Sequence, residues 1–571
     1  RIRGLRSMIG NHRTARLFAA ASTAILPMIL GACAQQMEDG LGINDGPPET
    51  PAIERAANDD GHRIALAAEN ELPRSRAGLD RHGPVDLPEL RDYVRGVVER
   101  LLEASPAFAT REREIDVFIT SRLAPLAANA TPAGDILVSV GTFRQADGAE
   151  SDANSVLESE DALAFILAHE IAHIARDHFA TDSGLRNQMR VTSTLRRISR
   201  FVTNLTESRS IDLSEDVRAT ALKLRTALRA LEFTSQGILS PSWRRSSESE
   251  ADRFAIDMMI RAGYKYRSAF SLVKGMHERQ AQQQDAVREK YRQIFDLFAK
   301  LQKMQTDNKL EGQLAAWGIR GAGRMTENLM NIFADKYESP EERAEDVRTY
   351  VKVYNQQKYV SQYGPYAGVP NVQGYKSGVP ARAHQVTQDY LQPAKDAERM
   401  LAQIFEAKAT DDPNRPDYQD LLEEAERLGK AAISGWGGDQ AYPRLVMHDV
   451  RKEQGDRKTA LLNLKYGIRD GALAVDLYKE LAVALAESGN RSDALKILSQ
   501  LESRLGDSEF YDIRGEILIA ANSLTEAEGT LNTCVARAES YAVQQDCDMM
   551  LTRLQDRSRT SNPRSDGSQA G

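Results

Sequence analysis

The sequence lacks two features, either of which would have assigned it to a different class of protein. Beyond its first residues it has no dense block of lysine and arginine, and its net charge of -8 is mild for 571 residues, so nothing supports a nucleic-acid partner. It has no series of long apolar runs, and its apolar share of 41% and charged share of 27% are those of soluble folded domains. A multi-span membrane protein and wholesale disorder are therefore both disfavoured, and two folded domains with linkers are expected.

The first 33 residues have the pattern of a secretory signal peptide. Five arginines precede the apolar run Leu17 to Leu30, which is too short for a comfortable membrane span. The run ends in Leu30-Gly31-Ala32-Cys33, which resembles a bacterial lipobox and predicts a lipid anchor on Cys33. An ordinary signal peptide with an incidental cysteine is the alternative. Ala34 is similar to the residue found at this place in lipoproteins sorted to the outer membrane, which predicts a location on its periplasmic face.

Cysteine is scarce, since only Cys534 and Cys547 remain after Cys33. A pair this close in sequence can form a disulfide in an oxidising periplasm, but two reduced cysteines in a core fit the sequence equally well. The state of the pair therefore stays open.

The strongest motif is His169-Glu170-Ile171-Ala172-His173, which lies in the apolar helical segment 157–180. Residues four apart on a helix project from one face, so both imidazoles can bind one metal ion, with Glu170 beside the open coordination position. Two histidines and a glutamate would be costly in such an apolar segment without a function. The motif predicts one Zn²⁺ per chain on His169 and His173, with Glu170 as the general base.

A third ligand must come from another segment, and Glu248-Ser249-Glu250-Ala251-Asp252 opens a later helical one. Together these elements resemble the gluzincin metalloendopeptidases of the HtpX, Oma and CAAX prenyl protease type, closest to periplasmic BepA-like proteases with tetratricopeptide repeats. The resemblance implies Glu248 as the third zinc ligand and Asp252 as the acid that orients a ligand histidine. Glu250 is the alternative ligand, less favoured because Glu248 shares a helix face with Asp252.

The resemblance extends to two further segments. Residues Asn129 to Val140 are similar to the family's turn and edge strand above the active site, and we expect a substrate to add to the strand Asp135 to Val140. Relatives carry a His-Pro pair before an arginine, whereas residues 337–343 keep Arg343 and lack the histidine. Arg343 or Tyr337 is then the candidate donor to the oxyanion, or activity is weak.

Two other histidines are candidates for the site. His178 follows His169 by nine positions, which on a continuous helix turns it away from the metal and predicts a surface or capping residue. His277 is interpreted as a solvated helix histidine, with an inhibitory metal ligand as the alternative.

The chain beyond residue 397 is helical in pattern and repeats itself. Ala460, Ala494 and Ala527 are 34 and then 33 residues apart, each shortly after a turn signal at Gly455, Gly489 or Ala521-Asn522. The spacing is similar to that of tetratricopeptide repeats, which usually present a concave peptide-binding face. Helical pairs without a binding role are the alternative.

The predicted fold is mainly α: an α+β zincin-like protease core with a small sheet, followed by an all-α domain of tetratricopeptide-like helical repeats. The predicted segments are the signal peptide with its lipobox cysteine (1–33), a flexible tether (34–84), the zinc metalloprotease domain (85–354), a Tyr/Gly/Pro-rich linker or lid (355–396), the helical repeats (397–555) and a disordered tail (556–571).

The expected function is that of a zinc endopeptidase of the bacterial cell envelope that cleaves unfolded or misassembled envelope proteins. The resemblance implies that the repeats dock an outer-membrane assembly machine or the client itself. The alternative is a non-catalytic assembly factor or chaperone with a latent zinc site, which the missing histidine favours and the intact Glu170 opposes. A peptidoglycan hydrolase is a weaker third possibility, since no wall-binding signature is present.

Overall fold

The structure is a computed structural model of the chain. With short gaps in some of them, it describes residues 52–54, 62–68, 73–74, 79–104, 111–143, 159–181, 215–235, 245–275, 289–300, 340–354, 379–409, 417–469, 473–505, 510–538 and 543–554. The predicted signal peptide with Cys33, most of the predicted linker or lid and the predicted disordered tail lie outside these residues.

A four-stranded sheet forms one layer of the fold. Its strands, in the order β1-β2-β4-β3, are β1 (His62–Leu66), β2 (Arg111–Thr120), β4 (Asp135–Ser139) and β3 (Ala128–Ala130). β2 pairs in parallel with β1 and with β4, whereas β3 pairs antiparallel with β4. A short 3₁₀ turn, Val140–Phe143, follows β4.

The prediction that a substrate adds to the strand Asp135 to Val140 is wrong, because β4 has a hydrogen-bonded neighbour on each side. The edge of the sheet is β3, which the sequence assigns to a turn. The turn itself is confined to Thr131–Gly134, where Gly134 has a φ of 93°. A three-residue strand of small residues has no periodic pattern, so only its pairing with β4 reveals it.

Helix α1 (Pro88–Glu103) connects β1 to β2 and packs on both strands. Its first turn contains Pro88, which is tolerated there because the first N–H groups of a helix have no partner within it. Its buried stripe follows helical spacing and consists of Leu90, Val94, Val97, Val98 and Leu101.

Part of the segment predicted as a flexible tether is built into the fold. β1 pairs along its whole length with β2. Ala52 and Ile53 are fully buried, and their N–H groups donate to Tyr350 Oη at 2.8 Å and Asp257 Oδ2 at 3.1 Å. The polar composition of this segment does not predict the contacts, because they are made with residues far along the chain.

In the described part of the chain that carries the zinc motif, the sheet is followed by the helices α2 (Glu160–Ala175), α3 (His178–Thr181), α4 (Glu215–Ser235), α5 (Arg245–Arg261) and α6 (Pro340–Tyr354). α2 packs against α1, α5 and the edge strand β3. The predicted continuous helix 157–180 is wrong in one respect: it breaks after Ala175, where Asp177 has a φ of 49°.

The C-terminal part is helical throughout its described residues: α7 (Val379–Val386), a π-helical turn (Thr387–Leu391), α8 (Gln392–Ala409), α9 (Tyr418–Ala432), a 3₁₀ turn (Gly435–Asp439), α10 (Ala441–Glu453), α11 (Arg457–Gly467), α12 (Val475–Glu487), α13 (Arg491–Leu505), α14 (Tyr511–Ala520) and α15 (Leu524–Arg537). The last part of the predicted linker or lid, residues 379–396, is therefore helical.

Helices α10 to α15 form three consecutive hairpins, in which α10 packs on α11, α12 on α13 and α14 on α15. Gly455, Gly489 and Asn522 occupy the same place in the three turns, with φ of 80°, 86° and 56°. The left-handed conformation favours glycine, and asparagine is among the few other residues that adopt it readily. The fourth residue of the second helix in each hairpin is a buried alanine, namely Ala460, Ala494 and Ala527.

The apolar side chains connect these parts. One large cluster contains the buried apolar side chains of α2 and most of those of the sheet, together with Val386, Leu391 and Tyr442 from the C-terminal helices. A second cluster joins Phe118 and Leu137 of the sheet to α12 and α13. The fold is mainly α with a small four-stranded sheet, as predicted. None of the described helices has both the length and the apolar content that a membrane span requires.

Candidate metal centre

Helix α2 is enclosed by protein over almost its whole length, since every residue from Ala162 to Ala175 is buried. It begins at the N-cap Ser159, whose Oγ accepts a hydrogen bond from the N–H of Ala162 at 3.3 Å. The apolar residues around the motif thus place its polar side chains in a protected interior, where they need partners.

Three of the predicted site residues meet at one point. His169 and His173 on α2 and Glu248 in the first turn of α5 are all buried, and their ligand atoms lie within 4.8 Å of one another. The Nε2 atoms of the two histidines are 3.1 Å apart. The Glu248 carboxylate is 3.8 Å from His169 Nε2 and 3.7 Å from His173 Nε2.

These separations fit a zinc ion. Two ligands of a tetrahedral zinc, with bonds of about 2.0–2.1 Å, lie roughly 3.3 Å apart. Two imidazoles and one carboxylate are also the donor set of catalytic zinc sites that keep one position open. Burial and the neighbouring His169 hold the pKa of His173 well below its ordinary value, so this imidazole is neutral, as a ligand must be.

Asp252 and Arg343 support the ligands. Asp252 Oδ1 lies 2.9 Å from His169 Nδ1, which leaves Nε2 of that ring for the metal. Arg343, buried on α6, donates from Nε to Asp252 Oδ2 at 2.7 Å and from Nη2 to Glu248 Oε2 at 2.8 Å. Asp252 is thus where the resemblance predicts a ligand-orienting acid. The two interactions of Arg343 are not predicted by the sequence.

Glu170 lies between the metal ligands and the edge of the sheet. Its Oε2 accepts a hydrogen bond from the backbone N–H of Ala130 in β3 at 2.6 Å. Burial raises the pKa of the Glu170 carboxyl to about 7. A carboxylate with this pKa can both take up and release a proton near neutral pH, as a general base must. Ala130 acts through its backbone, so no side-chain pattern could have marked it.

The predicted position of His178 is wrong. The side chain is 4% exposed, and its Nδ1 lies 2.8 Å from Nδ1 of His173. The prediction assumed a continuous helix, whereas the break at Asp177 turns the chain back toward the site. Glu250, the alternative ligand, contacts His178 Nε2 at 3.3 Å and Arg176 Nε at 2.9 Å instead.

The remaining predicted site residues are placed as follows. Tyr337, His277 and Cys33 lie outside the described residues. Cys534 and Cys547, whose state the sequence leaves open, are joined by a disulfide. They belong to an apolar cluster at the C-terminal end of the described chain, with Leu518, Ala527, Leu531, Val543 and Met550.

A buried HExxH helix with a carboxylate ligand from a second helix defines a metalloprotease-type centre. Residues 88–316 match the sequence model of Peptidase family M48, and this match supports a metalloprotease. The matched segment includes α1, the sheet strands β2 to β4 and both helices that bear the metal ligands. No curated protein sequence matches the chain.

Proposed function

We propose that the protein is a zinc-dependent endopeptidase of the bacterial cell envelope that cleaves unfolded or misassembled proteins. The observation that carries the proposal is the position of Glu170. Glu170 directly follows the ligand His169 on α2, and its carboxylate accepts a hydrogen bond from the edge strand β3, along which a peptide can bind. A purely structural metal site has no use for such a base.

In this proposal His169, His173 and Glu248 hold the zinc ion. The ion would supply a Lewis acid for a peptide carbonyl and make a bound water more acidic. Glu170 removes a proton from that water and later delivers it to the leaving amine. Its hydrogen bond to Ala130 N–H fixes the carboxylate between the metal ligands and β3.

We propose β3 as the substrate-binding strand. Ala127 and Thr131 bond to β4, through Ser139 N–H and Asp135 C=O respectively. Alternation along the strand therefore turns the backbone groups of Ala128 and Ala130 away from β4. Because the Ala130 N–H donates to Glu170, the Ala128 N–H and the Ala130 C=O are the groups with which a substrate strand would pair. A substrate that adds there is held through its backbone, with little dependence on sequence, which suits unfolded chains.

The oxyanion donor stays a prediction. Arg343 is close to the site, but its Nε and Nη2 atoms donate to Asp252 and Glu248, so the contacts seen give it a supporting role. Tyr337 is the other candidate from the sequence.

The envelope location rests on the N-terminal sequence. A lipobox-like Leu30-Gly31-Ala32-Cys33 would attach the protein to the outer membrane through Cys33, facing the periplasm. The three helical hairpins α10 to α15, with equivalent turns and buried alanines, support a tetratricopeptide-like module. Such a module would bind the client or the outer-membrane assembly machinery.

The second candidate is a non-catalytic assembly factor or chaperone that acts through the hairpins and keeps a latent zinc site. The absence of the His-Pro pair before Arg343 favours it, because a lost oxyanion donor commonly costs a hundredfold or more in rate. The same envelope location applies to both candidates.

One experiment separates them. Wild-type protein and Glu170→Gln are incubated with unfolded casein, and zinc is measured by mass spectrometry. We expect one zinc per chain in both proteins and a loss of at least about a hundredfold in cleavage for Glu170→Gln, because the base is absent. Equal cleavage by the two proteins would remove the protease assignment and leave the assembly factor.

A further inference from the structure

The two ligand histidines are oriented by different partners. His169 directs its Nδ1 at the Asp252 carboxylate, which is the usual kind of partner for a metal-binding imidazole. His173 directs its Nδ1 at the Nδ1 atom of another imidazole, His178, at 2.8 Å. His178 can orient His173 in the same way as a carboxylate only if its Nδ1 accepts the hydrogen bond from His173 Nδ1. The tautomer of His178 therefore decides whether it can do so.

Metal binding by His173 would fix the positions of the protons on both rings. Its Nε2 faces the other ligand atoms, 3.1 Å from His169 Nε2, and must be free of a proton to bind a metal. The proton of the neutral ring is then on Nδ1, which donates to His178 Nδ1. His178 in turn must carry its own proton on Nε2.

Glu250 completes this arrangement. Its Oε2 lies 3.3 Å from His178 Nε2 and can accept that proton's hydrogen bond. Its Oε1 accepts from Arg176 Nε at 2.9 Å, which holds the carboxylate in place. With the opposite tautomers, His178 would donate from Nδ1 to His173 Nδ1. The Nε2 atom of His178 would then carry no proton and would face the Glu250 carboxylate, so that neither atom could donate.

Local backbone geometry brings the three groups together. Arg176 follows the last residue of α2, and the positive φ of Asp177 returns the chain so that His178 lies beside His173. Glu250 is two residues after Glu248 in α5, so the same helix supplies a metal ligand and the carboxylate behind His178.

We propose that His178 is a positioning residue for the zinc ligand His173, with Glu250 as the carboxylate that sets its tautomer. The proposal rests on the proposed zinc site and deepens it: each ligand histidine is directed by a carboxylate of α5, His169 by Asp252 directly and His173 by Glu250 through His178. In this role His178 acts through His173, and it is not a member of the metal-ligand cluster.

The test compares zinc affinity in full-length His178→Asn and His178→Leu by competition with a chelator. Asparagine places an acceptor oxygen where His178 has Nδ1, whereas leucine fills a similar volume without one. We expect the zinc Kd to rise about 10–100-fold in His178→Leu and to stay within a few-fold of wild type in His178→Asn. The visible spectrum of the cobalt-substituted protein should change in the leucine variant and not in the asparagine variant.

Two further variants keep the test decisive if His178→Leu folds poorly. Glu250→Ala removes a side chain that is 26% exposed, so folding is less at risk, and it should also weaken zinc binding. His448→Ala is the matched control: His448 is buried on α10 and its Nδ1 lies 3.1 Å from Ala460 O, so its loss should leave the zinc Kd unchanged.

Zinc affinities at the wild-type value in His178→Leu and Glu250→Ala, or equal losses in His178→Leu and His178→Asn, would overturn the proposal. The outcome is separable from that of the proposed function. A wild-type protein that binds zinc, shows the expected order of variants and cleaves no casein would refute the protease and still support the role of His178.

Discussion

At the scale of single residues, each buried charge of the metal centre is compensated by a partner. Glu248 and Asp252 share the guanidinium of Arg343, and all three are buried. Although burial by itself lowers the pKa of Arg343, the two carboxylates outweigh it and raise that pKa, so the side chain stays charged. Removal of one member of such a group leaves an uncompensated charge in the interior.

The first prediction concerns Asp252. We expect Asp252→Asn to weaken zinc binding about 10–100-fold, because the amide is a poorer acceptor for the His169 Nδ1 proton and leaves Arg343 with one carboxylate fewer. A chelator competition measures the change. Asp346→Asn is the control, since Asp346 pairs with the half-buried Arg253 at 2.8 Å and contacts no metal ligand in the described structure. A Kd unchanged by Asp252→Asn would contradict the prediction.

At the scale of elements, the proposed catalysis depends on how α2 packs against the sheet. α2 lies against β3, and the hydrogen bond from Ala130 to Glu170 joins the helix that bears the zinc motif to the strand proposed to bind the substrate. The order β1-β2-β4-β3 leaves β3 as the edge on this side. The described residues provide no strand beyond it.

The second prediction tests this edge. Ala128→Pro removes an N–H that points away from β4, while proline remains tolerable in an edge strand. We expect KM for unfolded casein to rise several-fold with little change in kcat, because one backbone hydrogen bond to the substrate is lost. Ala128→Ser keeps the N–H and serves as the control. Steady-state kinetics with unchanged KM in the proline variant would exclude β3 as the binding strand.

The third prediction concerns the C-terminal helices. The disulfide joins Cys534 in α15 to Cys547, thirteen residues later. Replacing both cysteines by alanine should lower the free energy of unfolding of this end by about 3 kcal/mol, because a closed loop of this size restricts the unfolded chain. Urea unfolding followed by circular dichroism measures the loss. Zinc content should be unchanged, because the disulfide and the metal centre belong to separate apolar clusters. A loss of zinc would show that the stability of the metal centre depends on the C-terminal helices.

At the scale of the whole molecule, buried charges join the segment before α1 to the C-terminal helices. Arg81 forms ion pairs with Glu398 at 3.0 Å and Asp449 at 2.8 Å. Glu398 also accepts from Lys395 Nζ at 2.9 Å and from Tyr442 Oη at 3.0 Å. Together with the shared apolar clusters, these contacts hold the sheet and the helices α8 and α10 against each other.

The fourth prediction is a pH dependence of stability. Burial by itself raises the pKa of Glu398, but Lys395 and Arg81 outweigh it and lower that pKa from 4.5 to about 2. The stabilisation, about 3 kcal/mol, is therefore present above pH 4.5 and is lost as the pH falls toward 2. Glu398→Gln should be less stable than wild type at pH 7, and the difference should narrow at pH 3.

Urea unfolding of the zinc-free proteins at both pH values measures this difference. Glu424→Gln is the matched control, because Glu424 forms an ion pair with Arg427 on the surface of α9 and should change stability little. A difference between wild type and Glu398→Gln that is the same at pH 7 and pH 3 would contradict the assignment.

Sequence reasoning succeeded where the signal was local. Two histidines four residues apart on a helix project from the same face, so their approach follows from helix geometry alone. The positive φ of Gly455 and Gly489 agrees with the turns that the repeat pattern indicated. It failed where a short segment is defined by distant partners. β1, β3 and Ala52–Ile53 take their conformations from pairing and burial against other parts of the chain.

The sequence alone determined the chemistry, because the residue types and spacing on α2 allow a metal ion and a base on one buried helix. Helix geometry places residues four apart on the same face, which brings the two histidines together. Only the tertiary structure decided what surrounds that chemistry. A single left-handed residue, Asp177, brought His178 into the site, and the strand order made β3 rather than β4 the open edge. Both depend on where the chain goes after a local pattern ends, which no periodicity records.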